Sequence, residues 1–319
     1  MAVSITILSW NIQILGQAKI SKDLERNLLA MIIADSGADV VALQEPVYNF
    51  ANQVGAEVIC GLSELKQTDW HYQAVQALPG GGDRDGYLFL WRSGKYKQQQ
   101  IGGVAVAGTF TGDFPKNDSP RGGRRVGYVG LTLADGSHPF IVAAYHAPTQ
   151  DGAYSAPATG LTAIKDQAAQ LKTYNDGGAQ NYEARFLCAD FNLDINEAGV
   201  KADWYQPAMD ATGTSNVTAD KTIFLPVDKA PNSKDPADYL ANNLDNILAG
   251  PAGSITGAAT FNTINLVQDK RMAQLIGGFH ITNALQDWWN PSDVYTCFKF
   301  ARTYISDHLP VLATFTLVP

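Results

Sequence analysis

Sulfur and histidine are scarce in this chain: its 319 residues include 3 cysteines, 4 methionines and 5 histidines. Cys60, Cys188 and Cys297 are too few and too scattered for a disulfide framework or a zinc cluster. Their odd number leaves at least one thiol unpaired, so a reducing, cytoplasmic setting is the expectation. No apolar run approaches the roughly 20 residues that cross a bilayer. Met1 leads straight into VSITILSWNIQ without a basic n-region or a small-residue cleavage site. No leader is therefore expected, and a secreted setting would apply only if the chain is a mature form. Positive charge is short as well, with 23 Lys and Arg against 31 Asp and Glu, a net charge of −8. That balance argues against a protein that holds nucleic acid mainly by a broad basic face. It is compatible with carboxylates gathered around a hard divalent cation on a single phosphate, because Mg2+ prefers oxygen ligands.

The length and the 45% hydrophobic content allow a large α/β core. SITILSW alternates as a strand, KDLERNLLAMIIADSG has helical periodicity closed by Gly37, and ADVVALQEP reads as a buried strand stopped by Pro46. LKQTDWHYQAV and DGYLFLWRS are predicted strands flanking the Gly-rich turn LPGGGDRDG. RRVGYVGLTLADGSHPFIVAAYHAP reads as a hairpin around an Asp-Gly turn. Helical spacing returns from Ala158 to about Tyr174, and ARFLCADFN follows as a buried strand. Residues Leu193 to Asn243 are polar and read as loops with short elements. NLDNILAG is a further strand, and one helix is predicted around Leu266 to Leu285. No repeat and no low-complexity tract interrupts the chain.

Strands in this reading repeatedly finish in residues that can do chemistry. ILSWNIQ ends in Asn11 and Gln13, VALQEP in Glu45, VAAYHAP in His146 and FLCADFNLD in Asp190 and Asn192. NLDNIL carries Asp245, and YISDHLPVLATF opens with Asp307 and His308 before an alternating strand. In a layered sheet protein such ends converge on one rim. Asn and Asp are also ordinary turn formers, so any one of these endings carries little weight.

SWNIQ, LQEP, HAPT, ADFNLD, LDNIL and SDHLPV stand in the order of the endonuclease/exonuclease/phosphatase superfamily. The chain resembles that superfamily over nearly its whole length, as a single domain spanning 1–319. The resemblance implies a four-layered α/β sandwich, two packed mixed sheets flanked by helices. It implies a divalent cation, Mg2+ or alternatively Mn2+ or Ca2+, held by Glu45 with Asn11 and Asp307 nearby. It implies His308, oriented by Asp245, as base or charge stabiliser, because a carboxylate on one ring nitrogen fixes the tautomer. Asp190 and Asn192 would position the attacking water and the phosphoryl oxygens.

His146 resembles the pancreatic DNase branch and the catalytic subunit of cytolethal distending toxin. Those relatives imply a general acid on the leaving-group side, with Asp85 as the carboxylate that orients it. In SPRGGRRVG, Arg121, Arg124 and Arg125 stand where DNase-like members grip phosphate; Arg121 and Arg125 are taken together for that role, and which of the three contacts phosphate stays open. Gln13 replaces an acid or arginine found in many members and resembles the toxin subunit, as a weaker phosphate contact. The long interval between LDNIL and SDH predicts an insertion that roofs one edge of the groove. The function implied is a Mg2+-dependent endonuclease with DNA as substrate. The alternatives are a phosphoesterase of the same fold acting on inositol phosphates or sphingomyelin, or a catalytically dead binding protein.

Overall fold

The alternation in VSITILSWNIQIL becomes strand β1, Val3–Leu15, and its two faces go to different places. Ile5 and Ile7 enter one apolar cluster, Leu8, Trp10 and Ile12 another. The computed structural model describes residues 2–15, 20, 23–78, 85–115, 123–149, 155–174, 180–251, 254–269 and 290–317. After β1 come helix α1, Asp23–Ser36, β2, Val40–Pro46, and helix α2, Ala51–Glu64. Leu28, Leu29, Ile32 and Ile33 give α1 its buried face, and Gly37 ends it in the left-handed region at φ 68°. Strands β3, Trp70–Gln76, β4, Gly86–Arg92, β5, Tyr96–Gln98, β6, Ala107–Thr109, β7, Gly127–Leu133, and β8, Phe140–His146, follow. Next are helices α3, Ser155–Asp166, and α4, Ala168–Lys172, strand β9, Ala184–Asp190, and helix α5, Gln206–Thr212. The chain continues through β10, Ser215–Asn216, β11, Asp245–Gly250, β12, Ile255–Thr260, and helix α6, Thr263–Gln268. Helix α7, Val294–Phe300, and strand β13, Val311–Leu317, close the described chain.

Two large mixed sheets result. The first runs β12-β13-β1-β2-β4-β3; the second runs β10-β11-β9-β8-β7-β5, with β6 also paired to β7. Three apolar clusters separate four layers. Ile5, Ile7, Val40, Phe89, Val142, Phe186, Ile247 and Phe315 fill the space between the sheets. Trp10, Leu28, Val58 and Phe298 join the first sheet to its helices, and Ile141, Leu161, Leu187 and Met209 do so for the second. The fold is the four-layered α/β sandwich that the motifs imply, and burial of these faces is its main stabilising term.

Most predicted strands stand where the residue pattern put them, and ADGSHP joins β7 and β8 as an antiparallel hairpin. Residues Lys201–Tyr205 form a π-helical turn that runs into the seven-residue α5, short elements within the stretch read as loops with short elements; Pro207 stands at the N-terminal end of α5. Of the helix predicted around Leu266 to Leu285, residues 266–268 belong to α6, and 270–289 lie outside the described residues. The described parts of the expected insertion do not roof a groove: β12 extends the first sheet, and Ile264, Val267, Val294 and Phe298 pack into that sheet's outer layer.

Candidate functional site

Strand register assembles the candidate site. In the second sheet His146 on β8 pairs with Asp190 on β9, and Asp190 pairs in turn with Asp245 on β11. Three residues distant in sequence thus form one row across three strands. In the first sheet Asn11 on β1 lies beside Gln44 on β2, one residue before Glu45. Antiparallel pairing of β13 with β1 brings Asp307 and His308 to the same end, because Ser9 is matched with Val311. The row follows the phase of the inter-sheet core. Val142 and Ala144 precede His146 on the inward face of β8, and Phe186 and Cys188 precede Asp190 on β9. The rim is the polar end of an otherwise apolar seam.

Three side chains next to this row break the alternation through backbone strain. Gln13, Glu45 and Asn192 have positive φ, at 47°, 66° and 49°. A residue next to an inward-facing one points to the opposite face of a regular strand, and a left-handed conformation re-aims it. Glu45 joins the site in this way: Asn11 Nδ2 donates to Glu45 Oε1 at 3.0 Å and to Asp190 Oδ2 at 2.9 Å. The Gln13 amide donates to Asn11 Oδ1, and the Asn192 amide to Asp190 Oδ1.

Two imidazoles face Asp190. His146 Nε2 is 3.7 Å from Asp190 Oδ2 and 3.3 Å from Glu45 Oε1; His308 Nε2 is 3.8 Å from the same Asp190 oxygen. On its other nitrogen His308 shares a 2.8 Å hydrogen bond with Asp245 Oδ2. Burial disfavours the His308 charge, but the carboxylates of Asp245, Asp190 and Asp307 outweigh it and push the pKa up to about 10. Burial raises Asp190 to about 6, with His308 opposing and Asp245 adding to the shift, and burial also raises Glu45. For His146, burial, the Arg124 guanidinium and His308 all act in one direction and hold the ring well below its ordinary pKa.

The hydrogen-bond geometry around His146 differs from one expectation. Asp85 does not orient His146: its Oδ2 accepts from Arg124 Nε at 2.8 Å, and the guanidinium lies between the two. Arg124 Nη1 lies 3.4 Å from His146 Nε2 and donates to the Ala147 carbonyl at 3.3 Å. His146 Nδ1 is buried without a hydrogen-bond partner, so His146 is a neutral ring beside a cation and not the mirror image of His308. Arg124 is one of the three arginines among which the sequence left the phosphate contact open. Arg121 lies outside the described residues, and Arg125 is anchored through its backbone, its N–H to Ala77 and its carbonyl to Tyr87. The signal for Arg124 was present in RGGRR, but only the packing of the sheets separates it from its neighbour.

Oxygen donors that suit a hard cation are present. Oδ1 of Asp245 and Oδ1 of Asp307 are buried and accept no hydrogen bond, which leaves anionic lone pairs for a cation to satisfy. Among the described residues, ligand atoms of Asp190, Asp245 and His308 lie within 4.8 Å of one another. His308 Nδ1 is already bonded to Asp245, so oxygen donation from the surrounding carboxylates fits Mg2+ better than imidazole ligation. Asp190 and Asp245 stand within that group, Glu45 is joined to Asp190 through Asn11, and Asp307 Oδ1 lies 3.7 Å from His308 Nε2. Asn11, expected as a ligand, uses its amide nitrogen to draw Glu45 and Asp190 together.

Two hydroxyls unmarked by the sequence reading complete the frame. Ser306 Oγ donates to the Asn11 carbonyl at 2.8 Å and accepts from the His308 amide at 3.2 Å, tying β1 to the turn that carries His308. Thr222 Oγ1 accepts from the amides of Leu244 and Asp245.

Solved structures of similar fold include an endonuclease/exonuclease/phosphatase family protein from Bacteroides thetaiotaomicron, 13% identical with a TM-score of 0.62 over 100% of this chain and 96% of the other. A mannosyl-6-phosphatase from the same organism is 13% identical with a TM-score of 0.60, covering 97% and 98%. The human nocturnin catalytic domain with bound sulfate is 14% identical with a TM-score of 0.54, covering 100% and 97%. At such identities the likeness shows the fold. No curated protein sequence matches the chain significantly. Among the described residues no helix is long and apolar enough to cross a membrane. A family profile, however, matches residues 8–308, from within β1 to His308, and so the chain belongs to the Endonuclease/Exonuclease/phosphatase family, whose members are generally hydrolytic enzymes.

Proposed function

We propose that the protein is a divalent-metal-dependent endonuclease that hydrolyses phosphodiester bonds in DNA. The observation that carries this reading is the convergence of two imidazoles, His146 and His308, on one buried carboxylate oxygen of Asp190. Family members usually depend on a divalent metal, and Glu45 and Asp307 are the residues assigned to hold it here. When bound, the ion would neutralise charge on the phosphoryl oxygens. The chain's own groups do the rest. Asp190 and Asn192 hold the attacking water, and Asp190 takes its proton as the new P–O bond forms, while the P–O bond to the leaving oxygen breaks and that oxygen takes up a proton from solvent at the rim. His308, kept cationic and oriented by Asp245, stabilises the charge that develops on the phosphoryl group. Arg124, fixed by Asp85, offers a permanent cation to the substrate phosphate, and Gln13 stands at the exposed edge of the rim.

One observation favours a second reading, a phosphomonoesterase. Arg124 and His308 place two cationic groups on one small rim, a match for the dianion of a terminal phosphate. The fold is also shared with a mannosyl-6-phosphatase. Incubation with supercoiled plasmid and Mg2+, beside phosphate release from a hexose 6-phosphate, separates the two. Nicking that chelator abolishes supports the endonuclease. Plasmid left intact in Mg2+, Mn2+ and Ca2+ refutes it, and phosphate release faster than nicking moves the assignment to the monoester.

A further inference from the structure

The Asp245–His308 pair is divided between the two sheets. Asp245 opens β11 in the second sheet, and His308 precedes β13 in the first, 63 residues later. A 2.8 Å contact between them requires the sheets to keep a fixed offset at this end. One residue bonds the backbones of both sides. Thr222, with no exposed surface, accepts from the Leu244 and Asp245 amides through Oγ1, each at 3.0 Å, and its carbonyl accepts from the Leu309 amide at 2.7 Å. Its own amide donates to Asn242 at 2.9 Å. The next residues extend the clasp. Ile223 bridges to His308, Phe224 N–H donates to the Asp307 carbonyl at 2.8 Å, and Arg302 joins the Phe224 carbonyl to the Asp307 carboxylate.

We propose that Thr222 is a positioning residue, a staple between the two sheets that sets the Asp245–His308 geometry. It touches no reacting atom. Its hydroxyl fixes where β11 presents Asp245, while its carbonyl fixes where the turn presents His308. The inference rests on the hydrolytic reading for its kinetic consequence but not for its structural one.

Valine keeps the shape of threonine and removes the acceptor, leaving two buried amides unpaired. Thr222→Val is expected to lower kcat by about tenfold or more with KM changed less than about twofold, the pattern of an interaction made in the transition state. Thr222→Ser, which restores the acceptor, should stay within about threefold of the parent. Thr212→Val removes a buried hydroxyl of α5, near the far end of β11, and serves as the control for lost stability alone. In a crystal structure of Thr222→Val the Nδ1 to Oδ2 contact should open beyond about 3.5 Å, out of hydrogen-bond range. A contact kept at its present length, or a kcat loss no larger than that of Thr212→Val, overturns the proposal. If the valine variant does not fold, Thr222→Ser against Thr222→Cys decides it, since the two are similar in size and the thiol is a weak acceptor. Equal rates for those two overturn the proposal, and a loss of about tenfold in the cysteine variant alone supports it. Should the parent hydrolyse no phosphoester, the hydrolytic reading fails and the crystal contact alone judges Thr222.

Discussion

Removing the Asp85 charge should cost stability through Arg124. The two side chains are 16% and 14% exposed, and a 2.8 Å contact joins them. Breaking a buried ion pair from one side costs about 3–5 kcal/mol because the remaining charge is stranded. The residual solvent access here lowers that to about 2–3 kcal/mol for Asp85→Asn, and Arg124→Ala should cost a similar amount. In a protein of this size each kilocalorie moves Tm by roughly 2–4 °C, so either single variant should melt about 5–10 °C lower. The double variant strands no charge and should lose much less than the sum, which leaves a coupling energy of about 2 kcal/mol. Urea unfolding followed by tryptophan fluorescence on the parent, both singles and the double completes the cycle. Additivity within about 0.5 kcal/mol would refute the pairing. So would an Asp85→Asn variant of parental stability that loses as much rate as His146→Ala, since that outcome would make Asp85 the partner of the imidazole.

Glu45→Gln should raise the Mg2+ needed for half-maximal rate by about tenfold or more while excess Mg2+ recovers part of the rate, because the amide removes the anionic oxygen a hard cation selects. A metal dependence equal to the parent's would place the ligand elsewhere. His308→Ala and Asp245→Asn should each lower kcat by at least about 100-fold, and the double variant by little more than the worse single, since the pair acts as one unit. Losses that multiply would separate the two residues. Gly127→Ala should destabilise by about 1–3 kcal/mol through overpacking, since the added methyl meets the Tyr87 ring between the sheets. Activity should fall too, because the Tyr87 hydroxyl holds the His146 amide and the Arg125 carbonyl. Retained activity at equal folded fraction would show that the tyrosine is not part of the frame.

Sequence reading succeeded where local pattern decides the outcome. The alternation of VLATFTL appears directly in β13, whose residues are buried in turn along the strand. The wholly apolar FIVAAYH became a strand buried from end to end, with His146 as its last residue. Asn11, His146 and Asp190 keep the alternation that points apolar residues inward and so face the rim, whereas Gln13, Glu45 and Asn192 reach it only through left-handed backbone. What failed depends on the offset between sheets. Asp85 leads into β4 of the first sheet, and Arg124 leads into β7 of the second. Their contact is set by how far one sheet is displaced over the other, and no periodicity within either segment records that distance. Thr222 escaped notice for the same reason. VTADKTIFLP has the composition of a loop, and its role appears only when β11 and the His308 turn lie on either side of it.

Glu45 shows why the site needs that frame. It precedes Pro46, a position that favours extended backbone, yet its φ is 66°. A left-handed conformation in such a residue costs on the order of 1–3 kcal/mol and persists only where surrounding contacts over-determine it. Those contacts are the Asn11 amide on its carboxylate and the bond from the Val47 amide to the Leu15 carbonyl, which ties the end of β2 back to β1. Asn11 in turn is held by the Ser306 hydroxyl at its carbonyl, and Ser306 lies two residues from His308. Strain at Glu45 is thus offset through the same backbone that carries the His308 imidazole. A regular β2 would turn Glu45 toward the helices, and the charge needed beside Asp190 would be lost to the other face of the sheet.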